Sequence, residues 1–300
     1  MNCFSLEISL AAVLPALALA GDVFFRDRVE KEPWWLLALL FALGAVVYVP
    51  GYFACRGIAG GLDALFASHI TYDLQGNPTY AAPWAEFLHP ALVVLGTVLV
   101  QEILKWLAMF LPTFRSRQFN CLFDGVVYGV FTALGFGTAE NLLYAWQGGW
   151  DALLLRSLTT LPGHLYCGVV MGCCYTLWLL YRTAKQAEKH YENLGLVQVR
   201  KPIHSGVWFI TMLLLPVALH GSYALVGTFR SGVLDAVYYV CNGALFVLCM
   251  LAVRRLSAQD AYRGRYADAL LDQKYPKIRD LCTDVEGELP GKPPKEADHE

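Results

Sequence analysis

Glu102, Lys105, Glu140, His164 and His220 all fall inside long apolar segments of this 300-residue chain. An ionisable group in hydrocarbon costs several kcal/mol unless it faces a partner or a wet cavity, so each marks a candidate site. Glu102 and Lys105 stand three apart in Gln101-Glu102-Ile103-Leu104-Lys105, on one helical face, where the two charges can offset each other. A structural ion pair between helices would explain that motif alone. Glu140 is followed by Asn141, a carboxylate and a carboxamide in apolar sequence, for which the plain alternative is an interhelical hydrogen-bond pair. His164 follows Pro162 and His220 follows Pro216, and each proline tends to free backbone carbonyls nearby.

Two carboxylates and two imidazoles suit the activation of water. A carboxylate can take the proton of an attacking water while a histidine or a bound metal stabilises the oxyanion of a tetrahedral intermediate. Alternatively, His164, His220 and Glu140 can hold Zn²⁺ with an open position for a water that the metal acidifies. The residue types leave both routes open.

The segments that must position these groups are membrane spans. The chain is 56% hydrophobic and only 16% charged, with a mean hydropathy of +0.43, whereas about a quarter of a soluble domain is charged. A helix needs roughly 20 apolar residues to cross the hydrocarbon, and seven stretches qualify, near residues 4–21, 34–54, 89–111, 121–146, 154–181, 206–228 and 233–253. The expected fold is therefore an all-α polytopic bundle. Nineteen of the 23 Lys and Arg lie in the loops and tail of one side, which predicts an outside N-terminus and an inside C-terminus. Ala18-Leu19-Ala20 resembles a signal-peptide cleavage site, but no Lys or Arg precedes the first stretch, so it is read as a span. At about 1.5 Å per residue, Glu102, Glu140, His164 and His220 lie roughly 20, 9, 15 and 12 Å below the outer boundary, a shared depth that independent structural residues need not have had.

Gly125 and Gly129 admit close helix approach, and Gly135 and Gly137 are expected to loosen the helix before Glu140. His164, Gly168 and Gly172 recur every four residues, which puts the imidazole on a tightly packed face. Nine cysteines, without a paired C-x-x-C, read as small buried residues. A formal net charge of −2 and the lack of aromatic-basic interleaving exclude nucleic acid as a partner. Residues 1–256 are read as the transmembrane domain, and 257–300 as a cytoplasmic helix followed by a Pro-rich disordered tail containing Pro290, Pro293 and Pro294. The longest external segment, 55–88, carries an amphipathic stretch at 61–66 that can lie on the membrane surface as a short helix, read as a connector, with a lid over an outward-facing site as the second reading. His69, Glu86 and His89 are read as loop or interface residues. Arg156 is expected to snorkel to the interface, with a pair to Glu140 as a second reading. Asp235 and Asn242 are placed on the last span, in a packing role.

In this order the motifs resemble the PrsW-type intramembrane proteases, which are distantly similar to the CAAX prenyl endopeptidases. That family carries Glu-Glu-x-x-Lys, then Gly-Phe-x-x-x-Glu-Asn in the next helix, then separate membrane histidines. Here Glu102 and Lys105, Gly135-Phe136 with Glu140-Asn141, and His164 and His220 match, over about residues 90–225, a stretch that includes Asp124, Tyr128 and Gly129. The resemblance implies cleavage of a single-span membrane protein, such as an anti-sigma factor, near its outer side in the plasma membrane. It also implies catalytic Glu102, Glu140, His164 and His220, with Lys105, Asn141 and Gln101 in support. Two positions depart from the pattern: the family's first glutamate is Gln101 here, and Ala224 lies where an asparagine is expected after the last histidine. The alternatives are a catalytically inactive relative, a haem protein with His164 and His220 as axial ligands, and a proton-coupled transporter.

Overall fold

The computed structural model describes residues 6–229 and 232–276. Its elements are α1 (Leu6–Arg26), α2 (Trp34–Leu65), β1 (Ile70–Tyr72), β2 (Pro78–Tyr80), α3 (Pro83–Thr113), α4 (Asp124–Asn193), α5 (Gly206–Thr228), α6 (Gly232–Ala258) and α7 (Arg263–Lys274). The helices α1 to α6 are long and apolar enough to cross a membrane. A straight helix of α4's 70 residues would run about 105 Å, far beyond a hydrocarbon core of about 30 Å. It does not run straight. Gly149 takes φ 68° and ψ −152°, outside helical space, and divides α4 into two limbs. Six long helices and the seven expected spans thus agree, two of the spans being limbs of one hairpin.

Glycines set how closely the limbs pack. A Cβ on Gly129 would sit 2.2 Å from the Gly168 carbonyl oxygen, and one on Gly172 would sit 2.0 Å from that of Gly125. Successive contacts move up one limb and down the other, so the limbs are antiparallel, with backbone on backbone where any side chain would force them apart. His164 lies on that seam, against Gly137. The close-packed face expected from His164, Gly168 and Gly172 is therefore present. The expected loosening at Gly135 and Gly137 is not: helical dihedrals continue through both, and a Cβ at Gly135 would meet the Phe41 carbonyl oxygen of α2 at 2.0 Å. These glycines serve close approach, not flexibility.

The first limb of α4 is buried around nearly its whole circumference, as a helix at the centre of a bundle must be. α1 lays Ala12, Ala16, Ala20 and Val23 on the protein and turns Leu10, Leu14 and Leu17 outward, where lipid meets them. α2, α3 and α5 complete the surround, and α6 packs chiefly against α4.

Residues 61–66 form no separate surface helix. α2 runs unbroken to Leu65, followed by an antiparallel hairpin in which Ile70 pairs with Tyr80. The Asp73 carboxylate accepts from the backbone N–H groups of Gln75 and Asn77 and so shapes the turn. His89, expected in a loop, is a buried α3 residue whose Nδ1 lies 3.2 Å from the Tyr80 hydroxyl and whose Nε2 lies 2.9 Å from Asp63. It ties the hairpin to the helices. At the opposite end, Tyr128 donates to Glu32, Asp124 accepts from the N–H groups of Asn120 and Cys121, and Asp260 accepts from that of Phe123. These bonds join the α1–α2, α3–α4 and α6–α7 connections into one knot. Within the expected cytoplasmic tail, α7 is the helix; the Pro-rich stretch from 277 lies outside the described residues.

Candidate active site

The α3 motif delivers Glu102 and Lys105 to the interior, both essentially fully buried. Lys105 Nζ donates to Glu102 Oε1 at 2.5 Å and lies 3.3 Å from His164 Nδ1 on the second limb of α4. His164 Nε2 in turn lies 3.0 Å from Glu140 Oε2 on the first limb. From α5, His220 Nδ1 lies 2.7 Å from Glu102 Oε1. All five ionisable residues singled out by the sequence therefore form one connected network across three helices.

Donor and acceptor chemistry fixes the hydrogens. An ammonium only donates, so His164 Nδ1 accepts and Nε2 carries the hydrogen that it gives to Glu140. Facing a carboxylate, His220 Nδ1 likewise donates. Glu102 Oε1 thus takes two donors, while Oε2 is buried with no hydrogen-bond partner among the described residues. Phe136 packs edge-on to His164 with ring centroids 5.7 Å apart, and the Lys105 ammonium lies 5.0 Å from the Phe136 centroid.

Glu140 has a second partner. Arg156, just beyond the Gly149 bend, donates from Nη2 to Glu140 Oε2 at 2.6 Å and from Nε to Asn141 Oδ1 at 3.2 Å. Of the two readings of Arg156, the ion pair is the one found. Gln101 is not part of the network: its amide lies 3.9 Å from Cys55 Sγ on α2.

His164 and His220 sit edge to face, 5.4 Å between centroids, and line a cleft with Thr160, Gly163, Tyr166 and Tyr223. The cleft is closed to a water-sized sphere. A hydroxyl pair between Thr160 and Tyr223 bridges it, and Asn242 of α6 braces one wall through the Tyr166 hydroxyl and the Thr159 carbonyl. Sequence reasoning passed over Thr160, Tyr166 and Tyr223; the signal was their place within one helical turn of a membrane histidine.

The donor types here, His164, His220 and Glu140, are those that zinc takes, and in the arrangement described they are engaged with other side chains. Both nitrogens of His164 are engaged, one by an ammonium, and no group of three or more His, Cys, Asp or Glu among the described residues is gathered as for a metal.

A bundle of membrane-spanning helices around a buried network of carboxylates, imidazoles and a lysine defines a polytopic membrane protein with an ionisable site in its interior. Residues 32–253 match the model of the PrsW family of intramembrane metalloproteases, and the chain belongs to that family. It is 26% identical over 221 residues to a protein named Protease PrsW from Oceanobacillus iheyensis, covering 74% of this chain and 83% of that one. A protein of the same name from Shouchella clausii is 26% identical over 250 residues (83% and 95%), and one from Bacillus subtilis 25% over 237 residues (79% and 88%). No solved structure matches the chain. The protein is a multi-pass membrane protein and, by its family, a peptidase.

Proposed function

We propose that this chain hydrolyses a peptide bond in a single-span membrane protein, near the outer side of the bilayer, with Glu102 as the base that activates water. The observation that carries this reading is the second oxygen of Glu102. Each carboxylate has one oxygen that takes two donors, Glu102 Oε1 from Lys105 and His220 and Glu140 Oε2 from His164 and Arg156, but Glu102 Oε2 is buried and has no hydrogen-bond partner among the described residues.

In the proposed reaction a water bonds to Glu102 Oε2 and attacks the scissile carbonyl carbon, passing its proton to the carboxylate. The carbonyl π electrons move onto oxygen, and His220, which faces the cleft beyond its bond to Glu102, supports the oxyanion. On collapse the C–N bond breaks, and Glu102 returns the proton to the leaving amine. Lys105 remains beside Glu102 and His164 throughout, which limits the field change as the carboxylate is protonated. Glu140 orients His164. The replacement of the family's first glutamate by Gln101 leaves this scheme intact, because Gln101 faces α2.

An anti-sigma factor is the substrate type that the family resemblance suggests, and an outside N-terminus would put the site in the outer half of the bilayer. The test is cleavage, in proteoliposomes, of a reporter with one transmembrane helix and a fluorophore and quencher flanking its outer end. Glu102→Gln should lose about 1,000-fold or more in kcat and remain folded. Cleavage by Glu102→Gln at the wild-type rate would overturn the assignment.

A further inference from the structure

Two carboxylates and two cations alternate through the site: Arg156 to Glu140, Glu140 to His164, His164 to Lys105, Lys105 to Glu102. Of these groups, Arg156 alone has no part in the proposed reaction. We propose that Arg156 is a positioning residue for the reaction, holding Glu140 in the one geometry that points His164 Nε2–H away from the cleft and Nδ1 at Lys105. The inference rests on the active-site reading.

Four features separate this contact from a chance surface pair. The guanidinium reaches two neighbouring side chains at once, Glu140 through Nη2 and Asn141 through Nε, which fixes the rotation of both. Its central carbon lies 3.9 Å from the Tyr144 ring centroid, one turn further along the same limb, so the planar head is held from a third side. The Arg156 side chain is 18% exposed and the Glu140 side chain 11%, so the pair is screened from bulk water. Finally, the left-handed φ of Gly149 lies between them and turns the chain so that Arg156 can reach back.

Without Arg156, Glu140 keeps only His164 as a described side-chain partner, and a carboxylate free to rotate in a low-dielectric site follows whichever donor is near. His164 can then turn its Nε2–H, Lys105 loses its acceptor on Nδ1, and the field that Lys105 applies to Glu102 changes. Lysine at 156 would restore the charge but not the two-point grip, because an ammonium lacks the planar fork.

The experiment uses the full-length protein in proteoliposomes with the same single-span reporter. Arg156→Ala should lower kcat about 30-fold while KM stays within about twofold, since the residue acts on the reacting geometry and not on the substrate. Arg156→Lys should recover part of the loss, and millimolar guanidinium added to Arg156→Ala should recover it saturably while leaving wild type unchanged. In a sample carrying ¹⁵N-labelled histidine, the His164 Nε2 signal should move in Arg156→Ala and return with guanidinium. A kcat in Arg156→Ala within twofold of wild type overturns the proposal. So does a loss that follows a fall in thermal stability and is restored by neither lysine nor guanidinium, which would make the residue merely structural. If Glu102→Gln and Glu140→Gln both cleave normally, the active-site reading itself falls and takes this inference with it; if they are dead and Arg156→Ala is normal, only the inference falls.

Discussion

Lys105 Nζ lies 3.3 Å from His164 Nδ1 while bonded at 2.5 Å to Glu102, so a single ammonium joins α3 to the second limb of α4 at the centre of the bundle. Removing one member of a buried ion pair strands the other, which costs about 3–5 kcal/mol, whereas removing both at once can be close to neutral. Lys105→Met should therefore unfold at a markedly lower temperature than wild type. The double variant Lys105→Met with Glu102→Gln should regain most of that stability without regaining cleavage. Thermal unfolding in detergent beside the reporter assay measures both, and a double variant no more stable than Lys105→Met would contradict the pairing.

The hydroxyls of Thr160 and Tyr223 bridge a cleft that is closed to a water-sized sphere. A hydrogen bond of this kind contributes about 1 kcal/mol net, so Tyr223→Phe should raise kcat/KM by about three- to fivefold if opening limits the reaction. Progress curves at low reporter concentration would show it. A decrease would mean that the Tyr223 hydroxyl acts in the chemistry.

At the α4 seam, glycine is required by contact and not by backbone angle. Gly172→Ala would put a methyl 2.0 Å from the Gly125 carbonyl oxygen, with no side chain there to yield, and should abolish accumulation of folded protein. Gly243, midway along α6 with nothing within 4 Å of its would-be Cβ, gives the contrast. Gly243→Ala should be neutral or stabilise by up to about 1 kcal/mol through helix propensity. Expression and monodispersity of the two variants decide the point, and equal behaviour would refute the packing account.

The knot of acids at the end opposite the β-hairpin predicts a pH effect. Burial raises the Asp27 carboxyl to about 6, with repulsion from Asp260 and Glu30 acting in the same direction and the Glu32 backbone N–H and Lys31 acting against it. Glu32 is raised as well, first by burial and then by Asp124, with the Tyr128 hydroxyl acting in the opposite sense. A carboxyl that binds its proton more tightly when folded contributes stability at low pH, which is lost as the pH rises from the unfolded value near 4 through the folded value. Unfolding temperature should thus fall between pH 4.5 and 7, and less steeply in Asp27→Asn. A slope unchanged by that substitution would remove Asp27 as its source.

Much of the site was legible because a membrane makes polar residues conspicuous. Glu102, Lys105, Glu140, His164 and His220 stood out against apolar neighbours, and all five meet. The Gly168 and Gly172 face was equally readable from its spacing. What sequence could not supply was direction. Gln101 adjoins Glu102 yet faces another helix, a consequence of the 100° step between neighbours. Gly135 and Gly137 look the same whether a helix must bend or must touch, and only the carbonyl of Phe41 and the ring of His164 decide it. Thr160 and Tyr223 raised no alarm because hydroxyl groups are ordinary in membrane helices. The β-hairpin was missed because its strands are three residues long, too short for alternation to register.

The bend at Gly149 bears on how the protein is made. Glu140 and Arg156 stand on opposite arms of one hairpin, close to its tip, and neutralise each other there. As the nascent chain leaves the ribosome, the two arms can enter the bilayer as a unit, so the anion and the cation are never presented to lipid separately. A partly synthesised chain that ends between them would carry an unmatched carboxylate, and insertion of this region should begin only once the second arm has emerged.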